Sequence, residues 1–185
     1  PENEKAVRML KRSGWPIYKQ SSFFRTRIKE YWRPIEGDFS GSIESAAQTI
    51  SAALHEYCSI SLRDKSTPAI LMSGGEDSRI VLSVLADKAK LDALIFLDSK
   101  NREYQIAKSV CDIYGADLRL FLRDSDYYLN MHQPASRLVG LGNQYMHLHA
   151  FGFWEEIMAK SYDAIYDGYL SDSLIKGTRL PKLRS

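Results

Sequence analysis

The sequence predicts an α/β fold, a parallel sheet with helices on both faces. Three observations predict it. Short apolar runs at residues 69–72, 93–97, 118–122 and 164–166 have the length and continuity of strands, and segments of helical period separate them. Strands that alternate with helices imply parallel pairing with both faces covered. A serine-glycine-glycine turn follows directly on the first run, at the strand end where such sheets hold their ligands.

Taken in order, residues 1–41 read as a lead-in arm. The stretch 14–41 is irregular, with Pro16, Pro34 and Gly37 spaced among Trp15, Phe23, Phe24, Tyr31 and Trp32. So much aromatic surface is expected to pack on the domain that follows, residues 42–185. Ser42 is placed to cap a helix whose apolar residues, Ile43, Ala46, Ala47, Ile50, Leu54, Tyr57 and Cys58, recur at the spacing of one buried face. That helix ends before Ser66-Thr67-Pro68, and the strand 69–72 comes next.

After the glycine turn, a helix from 77 to about 90 is expected to bury Ile80, Val81, Val84 and Leu85. The strand 93–97 completes a βαβ unit. A helix over 102–114 turns Ile106, Ala107, Val110 and Cys111 inward, and Gly115 is placed to stop it before the strand 118–122. Residues 125–138 carry no clear assignment because Pro134 interrupts them. The span 147–161 reads as a helix with Phe151, Trp154, Ile157 and Met158 on its apolar side, and the strand 164–166 follows.

Composition narrows the function. At 185 residues and 44% hydrophobic content, the chain can bury one substantial core. A formal net charge of +2 gives no basic field for nucleic acid or membrane, so small-molecule chemistry is the stronger expectation. Cys58 and Cys111 are far apart and sit in helical patterns, which favours buried thiols over a disulfide and a reducing compartment. No apolar segment is long enough to cross a bilayer, and the opening Glu2-Asn3-Glu4-Lys5 is unlike a signal peptide, so the cytoplasm is the expected location.

The run Ser73-Gly74-Gly75-Glu76-Asp77-Ser78 carries the chemistry. Paired glycines let a phosphate approach the main chain closely, and the amides opening the next helix point outward with the positive end of its dipole. Ser73 and Ser78 add hydroxyls, and Asp77 is a carboxylate suited to magnesium. The plain alternative is a turn in which Asp77 and Ser78 only cap the helix. The glycine-lysine-serine/threonine ending of a Walker loop is absent, so phosphoryl transfer of that type is not indicated. Ser-Gly-Gly-x-Asp-Ser resembles the signature of the ATP pyrophosphatases, the PP-loop superfamily with its adenine nucleotide alpha hydrolase-like, Rossmann-like fold. That resemblance implies an adenylating reaction in which the loop grips pyrophosphate.

The strand 164–166 runs into Asp167-Gly168-Tyr169-Leu170-Ser171-Asp172-Ser173-Leu174-Ile175-Lys176-Gly177, a second acid-bearing turn. In a parallel sheet the ends of the first and fourth of these strands can be neighbours, so Asp172 is placed to face Asp77 across magnesium pyrophosphate. Together the two motifs resemble the synthetase domain of the asparagine synthetase family and its β-lactam synthetase relatives. Their second loop reads Gly-x-Gly-x-Asp-Glu-Leu-Phe-Gly-Gly, and Gly168, Asp172, Leu174 and Gly177 agree with it. Tyr31-Trp32-Arg33-Pro34 is similar to a family lead-in, and Glu103-Tyr104-Gln105-Ile106-Ala107 resembles the family's acid-to-alanine step.

The resemblance implies that Ser73, Gly74, Gly75 and Ser78 hold pyrophosphate and that Asp77 and Asp172 bind Mg²⁺. It also implies that Met72, Leu97 and Gly168 line the adenine or ribose site. ATP and Mg²⁺ are the implied cofactors, and a small-molecule carboxylate with an amine or ammonia are the implied partners. Tyr169 falls where asparagine synthetases carry a glutamate base, and β-lactam synthetases are similar to this chain in using a tyrosine in that region. Ser173 departs from the acid that follows the metal aspartate. The family's glutaminase domain has no counterpart here, so a separate domain or subunit is expected to supply ammonia, and the synthetase domain is expected to be truncated at its C-terminus. The alternatives are a PP-loop enzyme acting on a nucleobase or tRNA, and a nucleotide-binding domain that has lost catalysis.

Arg79 is placed either to reach a phosphate or to be solvated. His147 and His149 sit two apart in a helical pattern, which does not favour a shared metal.

Overall fold

The structure, a computed structural model, describes residues 17–22, 25–30, 40–139 and 148–169. The chain divides into two compact units, Pro1–Ile43 and Glu44–Ser185, each taken by itself below.

In the first unit, β1 (Ile17–Ser22) and β2 (Arg25–Glu30) pair antiparallel, with Ile17 opposite Glu30 and Ser22 opposite Arg25. This corrects the expectation of an irregular stretch over 14–41. The register leaves two residues for the connection, and Ile17, Tyr18, Thr26 and Ile28 are types that suit a strand. Flanking prolines and clustered aromatics hid that pattern. Trp15, Pro16, Phe23, Phe24, Tyr31, Trp32, Pro34 and Gly37, and with them the expected packing of the arm, lie outside the described residues.

From α1 (Ile43–Ser61) onward the elements alternate. They are β3 (Pro68–Leu71), α2 (Glu76–Ala86), β4 (Asp92–Leu97), α3 (Arg102–Tyr114), β5 (Asp117–Leu122), α4 (Tyr127–Val139), a 3₁₀ turn at Phe151–Phe153, α5 (Trp154–Ala159) and β6 (Ala164–Tyr166). The strands form a four-stranded sheet in the order β5-β4-β3-β6, and every pairing is parallel. The chain therefore steps outward from β3 to β5 and then returns to the other side of β3. That reversal of direction is where parallel sheets open a crevice at their carboxyl ends.

Alternation along the strands splits the core into two layers. Ile70, Met72, Ala93, Ile95 and Leu97 face α1, α2 and α3, where they meet Cys58, Leu82, Leu85, Ala107 and Cys111. Ala69, Leu94 and Phe121 face the opposite way with Phe96, Phe153 and Ile157 packed against them. On this second face Phe96 and Phe121 stack at 4.9 Å, and Tyr127 of α4 stacks on Phe153 at 5.4 Å. Helices thus cover both faces, as the sequence predicts.

Individual helix faces differ from their periodicity. Cys58 is the one buried residue of α1, whereas Ile43, Ile50 and Tyr57 are exposed. In α2 the inward arc is Ser78, Leu82 and Leu85 with Val81 and Val84 beside it, and Ile80 is 53% exposed. At about 100° per residue Ile80 lies roughly opposite the Ser78–Leu82 line. In the last helical span Phe153 and Ile157 point inward while Trp154 and Met158 are exposed, because a 3₁₀ turn resets the helical phase before α5 begins.

The third helix matches its expectation. Asn101 caps α3 by accepting from the Glu103 and Tyr104 amides, and Gly115, at φ 69°, closes it in the left-handed conformation that glycine tolerates. Pro134 lies inside α4 instead of ending it. Buried Tyr127 and Ala135 on either side of the proline anchor that helix.

The amino end of the sheet is held by polar clasps. Asp163 accepts from the backbone amides of Ser66 and Thr67 at 2.7 and 3.2 Å, which ties the start of the short β6 to the start of β3. Asp92 receives Arg119 Nε and the Tyr162 hydroxyl. Burial pushes the Asp92 carboxyl up, but these two hydrogen bonds together with the positive charges of Arg119 and Lys160 outweigh it and hold the group below its ordinary range. Burial and the same bond push Tyr162 up to about 12. Among the described residues no helix is long and apolar enough to cross a membrane.

Candidate functional site

The loop after β3 is braced from within. Met72 extends the strand ladder by donating to Leu94 at 2.8 Å, and then the chain turns. The Ser73 amide donates to Ser78 Oγ at 3.2 Å, the Gly75 amide donates to Ser73 Oγ at 3.2 Å, and the two serine hydroxyls meet at 3.0 Å. Ser78 is buried at 5% exposure. Its hydroxyl therefore shapes the loop from beneath. Arg79 Nε donates to the Gly75 carbonyl at 3.1 Å, so this arginine braces the turn. Gly75, with extended backbone, sits at the cap of α2, and Glu76 and Asp77 fill the first turn, where the helix dipole favours negative charge.

The Gly74 amide is answered from outside the loop. It donates to Glu103 Oε1 at 3.2 Å, and a Cβ built on Gly74 would stand 3.1 Å from Glu103 Cγ. Glycine at this position lets the first turn of α3 approach the loop.

The two sequence motifs meet at the ends of β3 and β6. A Cβ on Gly168 would lie 2.8 Å from Asp77 Cβ and 3.0 Å from both the Asp77 carbonyl carbon and the Ser78 nitrogen. Only a residue without a side chain fits against the opening of α2 there. Just beyond it, the Tyr169 amide donates to Asp167 Oδ1 at 3.0 Å, and Tyr169 is 78% exposed. Asp172 and the rest of the second motif, residues 170–177, lie outside the described residues. Among the described residues no group of three or more His, Cys, Asp or Glu is arranged to hold a metal ion. His149 is described and His147 is not.

Beside Ser73 a cavity of about 550 Å³ opens over the carboxyl ends of the strands. Leu71, Met72, Ile95 and Phe96 form its apolar floor, and Glu103, Arg123, Tyr128 and His149 form its polar wall. Its size lies within the range of small-molecule sites. Met72 lines it, and Leu97 is buried in the core layer with Met72. Arg123 is fixed by Asp98 Oδ1 at 2.7 Å and by the His149 carbonyl at 3.5 Å, with its guanidinium 5.5 Å from the Tyr128 ring.

Glu103 as a loop contact, Arg123, Tyr128 and His149 were not foreseen as site residues. One signal was available for Arg123. It follows the strand 118–122 directly, the same position that Ser73 holds after 69–72.

No protein-family model matches the chain, and no curated protein matches it. Among solved structures it is similar to an NH3-dependent NAD synthetase from Campylobacter jejuni, with 13% identity, a TM-score of 0.47, and 70% of this chain and 59% of that one covered. It is also similar to an NMN synthetase from Francisella tularensis, with 20% identity, a TM-score of 0.46, and coverage of 69% and 54%. A third similarity is to a predicted subunit of tRNA methyltransferase from Methanocaldococcus jannaschii, with 20% identity, a TM-score of 0.39, and coverage of 59% and 55%. The chain thus spans little more than half the length of each of these structures. With TM-scores below 0.5, the fold rests on the parallel sheet, its strand order and its two helical layers.

Proposed function

We propose that this chain carries the nucleotide site of an adenylating enzyme of the asparagine synthetase type, an ATP-dependent carbon-nitrogen ligase. A small-molecule carboxylate attacks the α phosphorus of ATP, and the bond from that phosphorus to pyrophosphate breaks. An amine or ammonia then resolves the acyl-adenylate into an amide with release of AMP. A glutaminase domain or subunit is the proposed source of ammonia.

The observation that carries this reading is the close approach of Gly168 to Asp77 and Ser78, because it joins two motifs far apart in sequence at neighbouring strand ends. The chemistry of the donors fits a polyphosphate. Backbone amides of the 73–75 turn and the opening of α2 supply positive potential for the leaving pyrophosphate, where charge accumulates in the transition state. Ser73 and Ser78 keep that turn in shape, and Ser73 borders the cavity. The apolar floor at Met72 and Phe96 suits a nucleobase, with Gly168 leaving room near the ribose and phosphates. Asp77, with Asp172, would hold Mg²⁺, which when bound neutralises charge on the departing pyrophosphate. Tyr169, exposed at the end of β6, is the proposed acid-base group toward the amine.

The test is exchange of labelled pyrophosphate into ATP with a panel of carboxylates, including amino acids, beside a panel of nucleobases and tRNA. Exchange that depends on a carboxylate supports the ligase. Exchange that depends only on a nucleobase or tRNA assigns the same loop to base modification and overturns the ligase reading. Mg-ATP binding without any exchange points to a nucleotide-binding domain that has lost catalysis and also overturns it.

A further inference from the structure

We propose that Glu103 is a positioning residue of the 73–78 loop, whose carboxylate stands on the Gly74 amide where a phosphate oxygen would bind and is exchanged for one when pyrophosphate enters. This rests on the reading of the loop as a pyrophosphate grip.

Among the three amides at 73–75, those of Ser73 and Gly75 are met by serine hydroxyls within the motif, at 3.2 Å each. A hydroxyl is neutral and rotates freely between donor and acceptor roles. The Gly74 amide is instead met by a carboxylate that belongs to another helix, at 3.2 Å. Glu103 reaches that point because its own amide is pinned to Asn101 Oδ1 at 2.9 Å and Ala107, one turn further along, is fully buried. On the other side, the missing side chain of Gly74 leaves contacts as close as 3.1 and 3.3 Å to Glu103 Cγ and Cα. The pair is built from both partners.

A backbone amide carries one hydrogen, so a carboxylate and a phosphate oxygen compete for the same direction. Two anions held there would also repel each other. Glu103 lines the cavity beside Ser73, which gives its carboxylate somewhere to turn when it yields the amide. In that role Glu103 keeps the Gly74 amide aimed at the site and favours ligands with enough charge to displace it. Pyrophosphate and a nucleoside triphosphate meet that condition better than a singly charged anion.

The test is calorimetric titration of inorganic pyrophosphate and of Mg-ATP into the wild type, Glu103→Gln and Glu103→Ala, with thermal melts of each. Glutamine keeps an acceptor for Gly74 and removes the charge, so E103Q is expected to melt like the wild type. It is expected to bind pyrophosphate about tenfold tighter, the size of one unit charge removed at about 6 Å in a medium between protein surface and water. E103A is expected to melt lower yet bind pyrophosphate at least as tightly as the wild type. Wild-type binding with E103Q unchanged or weaker overturns the role of Glu103 and leaves the loop reading standing, since a purely structural glutamate would give that result. Absence of binding in all three proteins overturns the loop reading, and the role of Glu103 falls with it.

Discussion

Replacing Gly168 with alanine perturbs the junction of the two motifs at one point. The added Cβ would stand 2.8 Å from Asp77 Cβ and 3.0 Å from the Asp77 carbonyl carbon and the Ser78 nitrogen. Carbon atoms in comfortable contact are about 3.5–4.0 Å apart, so a shift of roughly 0.5–1 Å is needed. The α2 side resists it, because Ser78 is buried and tied to Ser73 while Leu82 and Leu85 sit fully buried in the core. The 167–169 turn must therefore move away from the loop. Overpacking of this kind costs about 1–3 kcal/mol. If the displaced turn is part of the nucleotide site, the same energy appears as a loss of roughly 5- to 150-fold in Mg-ATP affinity. Urea denaturation and calorimetric titration measure the two effects, with Gly115→Ala as the comparison. Gly115 has a φ of 69°, and an added methyl there would meet nothing within 4 Å, so G115A is expected to lose about 1 kcal/mol of stability and no affinity. A G168A protein with wild-type unfolding and wild-type Mg-ATP affinity would refute the reasoning.

Asp77→Asn is expected to weaken Mg-ATP binding about tenfold or more, and unchanged affinity on calorimetry sinks Asp77 as the metal carboxylate. Asp92→Asn removes the negative charge and leaves Arg119 and Tyr162 a single neutral carbonyl oxygen to share, and is expected to cost about 1–2 kcal/mol in urea, kept low because Arg119 is more than a third exposed; no change in midpoint would show the clasp to be idle. Because Asp92 is held below its ordinary range, its contribution is present at neutral pH and is lost as acid protonates it from about pH 4 downward. Tyr162, pushed up to about 12, and Cys111, pushed up to about 11 by burial, act in the opposite direction. Their contributions are intact below the unfolded values, about 10 and 8.5, and are lost as pH rises toward the folded ones, so urea midpoints are expected to fall steeply above pH 9 and a flat alkaline profile contradicts the assignment. Pro134→Ala restores an amide for the Asn130 carbonyl inside α4 and is expected to stabilise by about 1–2 kcal/mol after the lost rigidity of the unfolded chain is counted; a lowered midpoint contradicts this.

The sheet was legible because its strands are short apolar runs bounded by glycine, proline or charge, and because buried parallel strands are nearly uniform in hydropathy. Neighbouring placement of β3 and β6 was open to inference from the two acid-bearing turns alone. Helix faces were less legible. Periodicity counts apolar residues but does not say which arc the sheet will cover, so Ile80, Trp154 and Met158 were assigned inward and lie outward. A proline in a helical pattern reads as an interruption, although buried Tyr127 and Ala135 hold α4 through Pro134. At the candidate site, residues 73–78 form a motif local in sequence, and Met72 and Gly168 were implied only by the family resemblance. Glu103 as a contact of Gly74, and the wall formed by Arg123, Tyr128 and His149, depend on elements brought together only by folding.

The central claim is that one nucleotide is held between the loop after β3 and the turn after β6. Titration of Mg-ATP into isotope-labelled protein, followed by amide resonances, tests it without requiring turnover. The amides of Ser73, Gly74, Gly75, Gly168 and Tyr169 are expected to shift together with one saturation curve, while those around Asp92 and Tyr162 at the opposite end of the sheet stay still. Shifts confined to one of the two loops, or found only at the opposite end, would contradict it.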